Sequence, residues 1–138
     1  MTDCCITELS HTAEIGLLIQ ADTPEMLFAC AAAGMFGLLR VEPDQTQPKR
    51  QHTIQLQSVD PESLLVDWLN ELIYLYDTTG AVYTDCTITQ WQDTQLTAEI
   101  NGWPTAEPPA VHIKATTYHD LFVRADDQGW SAQVFFDI

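Results

Sequence analysis

The sequence has few basic residues and no long hydrophobic run. Only 5 of its 138 residues are lysine or arginine, against 20 aspartates and glutamates, which gives a formal net charge of −15. Autonomous nucleic-acid binding depends on basic side chains that neutralise phosphates, so this composition argues against it. The start of the chain, Met1-Thr2-Asp3, lacks the basic segment followed by an apolar segment that is typical of a signal peptide. No apolar run approaches the length of a membrane-spanning helix, which is about 20 residues. We therefore expect a cytoplasmic protein without a membrane anchor, whose acidic surface favours cations or a basic partner protein.

The sequence also lacks the Cys-x-x-Cys pairs that bind metals or carry out redox chemistry. Its four cysteines are Cys4, Cys5, Cys30 and Cys86. A disulfide between the adjacent Cys4 and Cys5 would be strained. We expect all four to be reduced thiols, with Cys30 a small buried residue of a helix.

What the chain does have is enough apolar residues for one domain. Its residues are 46% hydrophobic, and a domain of about 150 residues buries roughly 68–70% of its unfolded surface. We expect a single domain that covers residues 1–138.

Two segments carry the signals of a helix start, in which a capping side chain precedes proline and glutamate. They are Asp22-Thr23-Pro24-Glu25 and Asp60-Pro61-Glu62. Apolar residues at helical spacing follow each start, in the second case until about residues 77–80. The prolines lie 37 residues apart (61 minus 24), so a duplicated strand–helix unit is an open interpretation.

The other apolar segments alternate with polar residues or are bounded by turns, which predicts strands. The predicted strands cover residues 5–9, 15–21, 50–59, 81–91, 96–101, 111–118, 121–125 and 130–138, with a loop over 41–49. Together these elements predict an α+β fold, in which two helices pack on a mixed, largely antiparallel β-sheet.

Three carboxylates near the two ends of the sequence form the first candidate site. Glu14 precedes an early strand, whereas Asp137 and the terminal carboxylate of Ile138 end the last one. If the first and last strands pair, three hard oxygen donors converge, and a divalent cation would relieve their repulsion. Such a cluster suits Ca²⁺, with its variable coordination, or octahedral Mg²⁺. The plain alternative is a capping Glu14 and an exposed terminus.

The segment 114–120 is the second concentration of chemically active side chains. On a strand, Lys114, Thr116 and Tyr118 would share a face, while His119 and Asp120 would turn into a loop. The favoured structural interpretation makes Tyr118 a core aromatic residue and His119-Asp120 a turn.

Two other sets have simpler explanations. Ser10, His11 and Glu14 include the residue types of a nucleophile, a base and an orienting carboxylate, but no oxyanion-hole glycines flank them. The second predicted helix has an apolar face that includes Trp68, which we expect in the core, and a polar side. The polar side is first interpreted as solvated and second as a partner surface, and its residues are Asp67, Asn70, Glu71 and Tyr74.

Four segments, taken together and in this order, resemble the archease family. They are His11-Thr12-Ala13-Glu14-Ile15-Gly16, Val66-Asp67-Trp68-Leu69-Asn70-Glu71-Leu72, Lys114-Ala115-Thr116-Thr117-Tyr118-His119-Asp120-Leu121 and Gln133-Val134-Phe135-Phe136-Asp137-Ile138. The resemblance extends over the whole chain and includes its C-terminal end, which makes the set specific although each segment alone is common.

The resemblance implies an accessory protein of RtcB-type RNA ligases, which join a 2′,3′-cyclic phosphate or 3′-phosphate to a 5′-hydroxyl in tRNA splicing and RNA repair. The accessory protein is not the ligase; it promotes guanylylation of the ligase and repeated turnover through a divalent-metal site. Ca²⁺ is the expected ion, with Mg²⁺ or Mn²⁺ as alternatives. The family's metal ligands correspond to Glu14, Asp137 and the carboxylate of Ile138. Neighbouring motif positions are His11, Lys114, Tyr118, His119 and Asp120.

One position departs from the family pattern, and two alternative functions stay open. The family has aspartate where this chain has Glu14, and the extra methylene moves the carboxylate outward or permits bidentate binding. One alternative function is a chaperone or specificity modulator of an RNA methyltransferase. The other is a small metal-dependent hydrolase with His11 as the general base.

Overall fold

A computed structural model describes residues 4–10 and 12–138 of the chain. Within these ranges it contains two helices and seven strands, which confirms the predicted α+β fold. In chain order they are β1 (Cys5–Ser10), β2 (Glu14–Ala21), α1 (Pro24–Gly37), β3 (Arg50–Gln57), α2 (Pro61–Thr79), β4 (Ala81–Gln92), β5 (Gln95–Pro104), β6 (Ala115–Asp126) and β7 (Gly129–Asp137).

The strands form two antiparallel sheets where the sequence predicted one. The four-stranded sheet 1 has the order β1-β2-β7-β6, and the three-stranded sheet 2 has the order β3-β5-β4. The last strand, β7, pairs with β2 and not with the first strand, β1, which lies on the other side of β2. The condition that the first and last strands pair is therefore not met. Glu14 nevertheless lies beside β7, because it is the first residue of β2.

Both helix starts form as predicted, because their signals are local hydrogen bonds. The Thr23 hydroxyl accepts from the N–H of Met26 at 3.2 Å, and an Asp60 carboxylate oxygen accepts from the N–H of Ser63 at 2.7 Å. Each cap is followed by proline in the first helical turn. The two strand–helix units therefore share their local chemistry, but β2 belongs to sheet 1 and β3 to sheet 2.

The two helices meet through Trp68, which is fully buried, as predicted. Its indole N–H donates to the carbonyl oxygen of Phe28 at 2.9 Å and so joins α2 to α1. Because a buried indole N–H without an acceptor is costly, this bond also specifies how the two helices pack. Among the described residues, no helix is long and apolar enough to cross a membrane.

The two predicted strands at 111–118 and 121–125 form one strand, β6, which begins only at Ala115. Its pairing with β7 is irregular between Thr117 and Phe122. Asp120 has a positive φ of 50° in this section. Such an irregularity re-aims side chains, so Thr116 is 6% exposed whereas Tyr118 is 60% exposed. The core interpretation of Tyr118 is therefore wrong, and Lys114, which precedes β6, shares no strand face with Thr116 and Tyr118.

The expectation of four reduced thiols is also wrong, since Cys4 and Cys30 form a disulfide. Pairing of β1 with β2 brings the start of the chain to α1, where the two Cα atoms are 5.5 Å apart. Cys5 and Cys86 are free. Burial, with a smaller contribution from the charge of Asp85, raises the pKa of the Cys86 thiol to about 12.

Candidate functional site

Glu14 and Asp137 are direct neighbours at one end of sheet 1. Glu14 begins β2, Asp137 ends β7, and the two residues are opposite each other in the register. Opposite residues of an antiparallel pair point to the same face, with Cβ atoms about 4.5–5.5 Å apart. Two of the three predicted oxygen donors are therefore adjacent.

The chain terminus lies beside this pair. Ile138 follows β7 directly and is half-buried, with its side chain against the core. The backbone N–H of Lys114 donates to the carbonyl oxygen of Asp137 at 2.8 Å. This bond fastens the segment before β6 to the end of β7, while the Lys114 side chain is exposed.

His119 reaches Glu14 from β6, across the intervening strand β7. Its Nδ1 lies 2.9 Å from Oε2 of Glu14, and its Nε2 lies 3.4 Å from Oδ2 of Asp120. The hydrogen bond with Glu14 and the negative charges of Asp120 and Glu14 raise the pKa of the exposed imidazole. The irregular section of β6 allows this contact. In a regular strand the His119 side chain would stay beside β7, the strand next to β6, and would not extend to Glu14 on β2.

Gly16 and Phe135 support the His119 ring. The Phe135 ring lies over Gly16, where a Cβ atom would be only 2.6–2.9 Å from three ring carbons. The His119 ring then packs beside Phe135, with ring centres 5.5 Å apart. Sequence reasoning missed this support, although a glycine inside a strand is a known sign of close approach by another group.

Asn70 connects α2 to the same region. Its side-chain carbonyl accepts a hydrogen bond from the N–H of Thr116 at 2.8 Å, so α2 fixes the start of β6. The exposed Tyr118 donates its hydroxyl to Oγ of Ser63 at 3.3 Å. The interpretation of Asn70 as part of a solvated face is therefore wrong, since this half-buried side chain positions a strand.

His11 lies outside the residues that the structure describes. Ser10, the other neighbour proposed for a triad, is exposed on β1 and opposite Ile15. The structure therefore brings together Glu14, His119, Asp120 and Asp137 from the predicted set.

The donor chemistry of this end suits a hard divalent cation. Glu14, Asp137 and the chain terminus offer carboxylate oxygens, which are the ligands that Ca²⁺ prefers. Within residues 4–10 and 12–138, however, no three His, Cys, Asp or Glu side chains are close enough to hold a metal ion. His119 engages only Oε2 of Glu14 in the present arrangement, so Oε1 of the same carboxylate stays available to a cation while the imidazole holds the side chain in place.

Sequence comparisons relate the chain to known proteins. A model of the archease protein family matches residues 7–138. The archease of Methanosarcina mazei is 34% identical, with 94% of this chain and 93% of that protein covered. The archease of Pyrococcus furiosus is 33% identical, with 93% of this chain and 94% of that protein covered.

Two solved structures share the fold. A solution structure from Methanobacterium thermoautotrophicum has a TM-score of 0.69 and 24% identity, with 96% of this chain and 98% of that chain covered. A crystal structure of an archease from Thermotoga maritima, described as a possible chaperone, has a TM-score of 0.71 and 21% identity, with 96% of each chain covered. At these identities the likeness concerns the fold alone.

Proposed function

Because the chain belongs to the archease family, we propose that it is a cytoplasmic accessory protein that activates an RtcB-type RNA ligase. The family model that matches residues 7–138 is that of archease. In this proposal the protein promotes guanylylation of the ligase and its repeated turnover during tRNA splicing or RNA repair. The ligase carries out the covalent chemistry, and this chain supplies a binding surface and a charged site.

The observation that carries the proposal is the meeting of Glu14 and Asp137 on neighbouring strands. Segments from the start, the middle and the end of the sequence all contribute to this one end of sheet 1. His119 and Asp137 are exposed there, as expected of groups that meet the surface of a second protein.

We propose that Glu14, Asp137 and the terminal carboxylate of Ile138 hold a divalent ion, Ca²⁺ first and Mg²⁺ or Mn²⁺ as alternatives. When bound, the ion supplies a positive charge that offsets the carboxylates and is available to an anionic group of the partner complex. This chain's own residues arrange the donors. His119 orients Glu14, while Gly16 leaves room for Phe135 to support His119.

The test is RNA ligation with the genomic partner ligase limiting and an RNA that ends in a cyclic phosphate. We expect wild-type protein to raise the number of turnovers per ligase, and Asp137→Asn to reduce that gain. The matched control is Glu99→Gln, which removes one exposed carboxylate from β5 in sheet 2. If the wild-type protein gives no stimulation, the proposed function is wrong.

A second candidate is a chaperone-like modulator of an RNA methyltransferase. It is favoured by the description of the Thermotoga maritima archease as a possible chaperone. The two candidates differ in the enzyme that co-purifies with a tagged chain from its own cells. A ligase supports the first candidate, and a methyltransferase supports the second.

The third function, a small metal-dependent hydrolase, depends on His11 as its base. Phosphoesterase activity of the isolated chain that disappears in His11→Ala would support it. An inactive wild-type chain would exclude it.

A further inference from the structure

Three large hydrophobic side chains are exposed in the described part of the chain, and all three lie on or beside α2. Tyr74 is 60% exposed on the helix itself, and Val59, which is 81% exposed, precedes the helix cap. Tyr118, also 60% exposed, contacts the helix through the hydrogen bond between its hydroxyl and Ser63. Single exposed apolar residues are normal on a surface, but their concentration at one element indicates an interaction surface.

Helical geometry places Tyr74 and Ser63, the residue that Tyr118 contacts, along one side of α2. Residues 63, 67, 70 and 74 are spaced by four, three and four positions, which puts them in one row. From Ser63 to Tyr74 the row is about 16 Å long at a rise of 1.5 Å per residue. Tyr118 lies at its beginning, Asn70 connects its middle to β6, and Tyr74 lies at its end.

The charges on α2 are all negative. The helix contains no lysine, arginine or histidine, and its four acidic residues are Glu62, Asp67, Glu71 and Asp77. Throughout the described residues, none of these four carboxylates takes part in an ion pair. Asp77 is exposed and the other three are half-buried, so each keeps surface that basic groups of another molecule can reach. A second copy of this chain is disfavoured as that molecule, because each copy carries a net charge of −15.

We propose that the side of α2 formed by Asp67, Glu71, Tyr74 and Tyr118 is a docking face for an arginine-rich surface of a protein partner. This docking face offers what guanidinium groups bind best, namely carboxylates for bidentate pairing and aromatic rings for stacking. The inference rests on the proposed function, since the partner is taken to be the RNA ligase. Tyr118 immediately precedes His119 in β6, so the docking face adjoins the strand segment whose next residue contacts Glu14.

The experiment measures the affinity of the complete chain for the purified partner ligase by calorimetry, at low and at high salt. Two variants change the docking face, Tyr74→Ser and the double variant Asp67→Asn/Glu71→Gln. The matched control, Asp85→Asn/Glu99→Gln, removes two charges from exposed positions of sheet 2. We expect both docking-face variants to weaken binding about tenfold or more and the control to stay within about twofold of wild type. Binding by the wild type should also weaken as salt rises.

A second measurement needs no substitution. Amide hydrogen exchange of the complex should slow in the exposed ends of α2 and in β6 near Tyr118, and stay unchanged in sheet 2. Melting temperatures of the variants close to wild type ensure that weak binding reflects the surface and not unfolding.

The outcomes separate this inference from the proposed function. If the wild type binds the ligase and stimulates it, but the docking-face variants bind equally well, the docking face is wrong and the function stands. If the wild type binds without stimulating ligation, the function is wrong, and the affinities of the variants still decide the docking face. If the wild type does not bind the ligase, both are overturned.

Discussion

The two ends of β2 differ in how they are held and in what they expose. At the first end, Glu14 is opposite Asp137 and is contacted by His119, so the groups in this region are polar and mostly exposed. An exposed ion pair of this kind contributes little to stability, because water screens the charges. The side chains at this end are therefore able to change partners at little cost to the fold.

At the other end of β2 the contacts are covalent and aromatic. Cys4 is joined to Cys30 of α1 by the disulfide, next to the position where β1 pairs with β2. Trp130 is opposite Ala21 and packs edge-on against Trp91, with ring centres 5.4 Å apart. This end anchors the strand to the core.

A cleft of about 330 Å³ lies at the anchored end, and its lining includes Cys5, Asp22, Asp126 and Trp130. None of the residues that line it belongs to the four family segments. The comparison teaches that the cleft and the family segments lie at different ends of β2, because the motif residues gather on an open surface instead.

The largest expected effect concerns the anchored end. Cys4→Ser, which removes the exposed half of the disulfide and leaves Cys30 in the core, should lower the free energy of unfolding by about 3–4 kcal/mol in the absence of reductant. The loss arises because the unfolded chain is no longer cross-linked over a separation of 26 residues. Urea denaturation measures it, with Cys5→Ser as the control. Equal stability of the three proteins would mean that the disulfide does not form in solution.

The next effect concerns the open end and a metal ion. Ca²⁺ at about 100 times its dissociation constant should stabilise the folded chain by about 2.7 kcal/mol, seen as a higher melting temperature. Asp137→Ala, or an extension beyond Ile138, should abolish this increase, because each removes a donor. Asp22→Asn at the anchored end serves as the control and should respond like wild type. An increase that persists in both modified proteins would place the ion elsewhere.

A smaller effect is expected for Gly16→Ala. The added methyl group overlaps the Phe135 ring, and overpacking of this kind costs about 1–3 kcal/mol. Gly37→Ala is the matched control, since no atom lies within 4 Å of its added carbon and it should be neutral or stabilising. Thermal unfolding distinguishes the two. A Gly16→Ala protein as stable as wild type would show that Phe135 and His119 can move without cost.

The smallest effect is the titration of His119. Its contact with Glu14 raises the pKa of the imidazole in the folded chain. The contact therefore makes its full contribution to the free energy of unfolding below the unfolded pKa of about 6.5. The contribution is lost as the pH rises through the folded pKa. Histidine NMR signals of metal-free protein should therefore titrate at lower pH in Glu14→Gln than in wild type. An identical pKa for His119 in both proteins would contradict the contact.

Much of the fold was predictable because its signals act over a few residues. The caps at Thr23 and Asp60 involve a side chain and an amide only three positions away, and both helices start where the sequence placed them. Burial of Trp68 followed from the apolar period of its helix. The four segments that resemble archease also indicate the family from sequence alone, and the family model over residues 7–138 confirms it.

The remaining features depend on contacts between distant parts of the chain. The sequence alone determined the helices, most strand ranges, the acidic surface and the family. Only the tertiary structure decided that β7 pairs with β2, that Cys4 meets Cys30 and that His119 reaches Glu14 over a separation of 105 residues. The physical reason is that capping and periodicity are local, whereas strand order, register and an irregular section in β6 arise from packing across the whole domain.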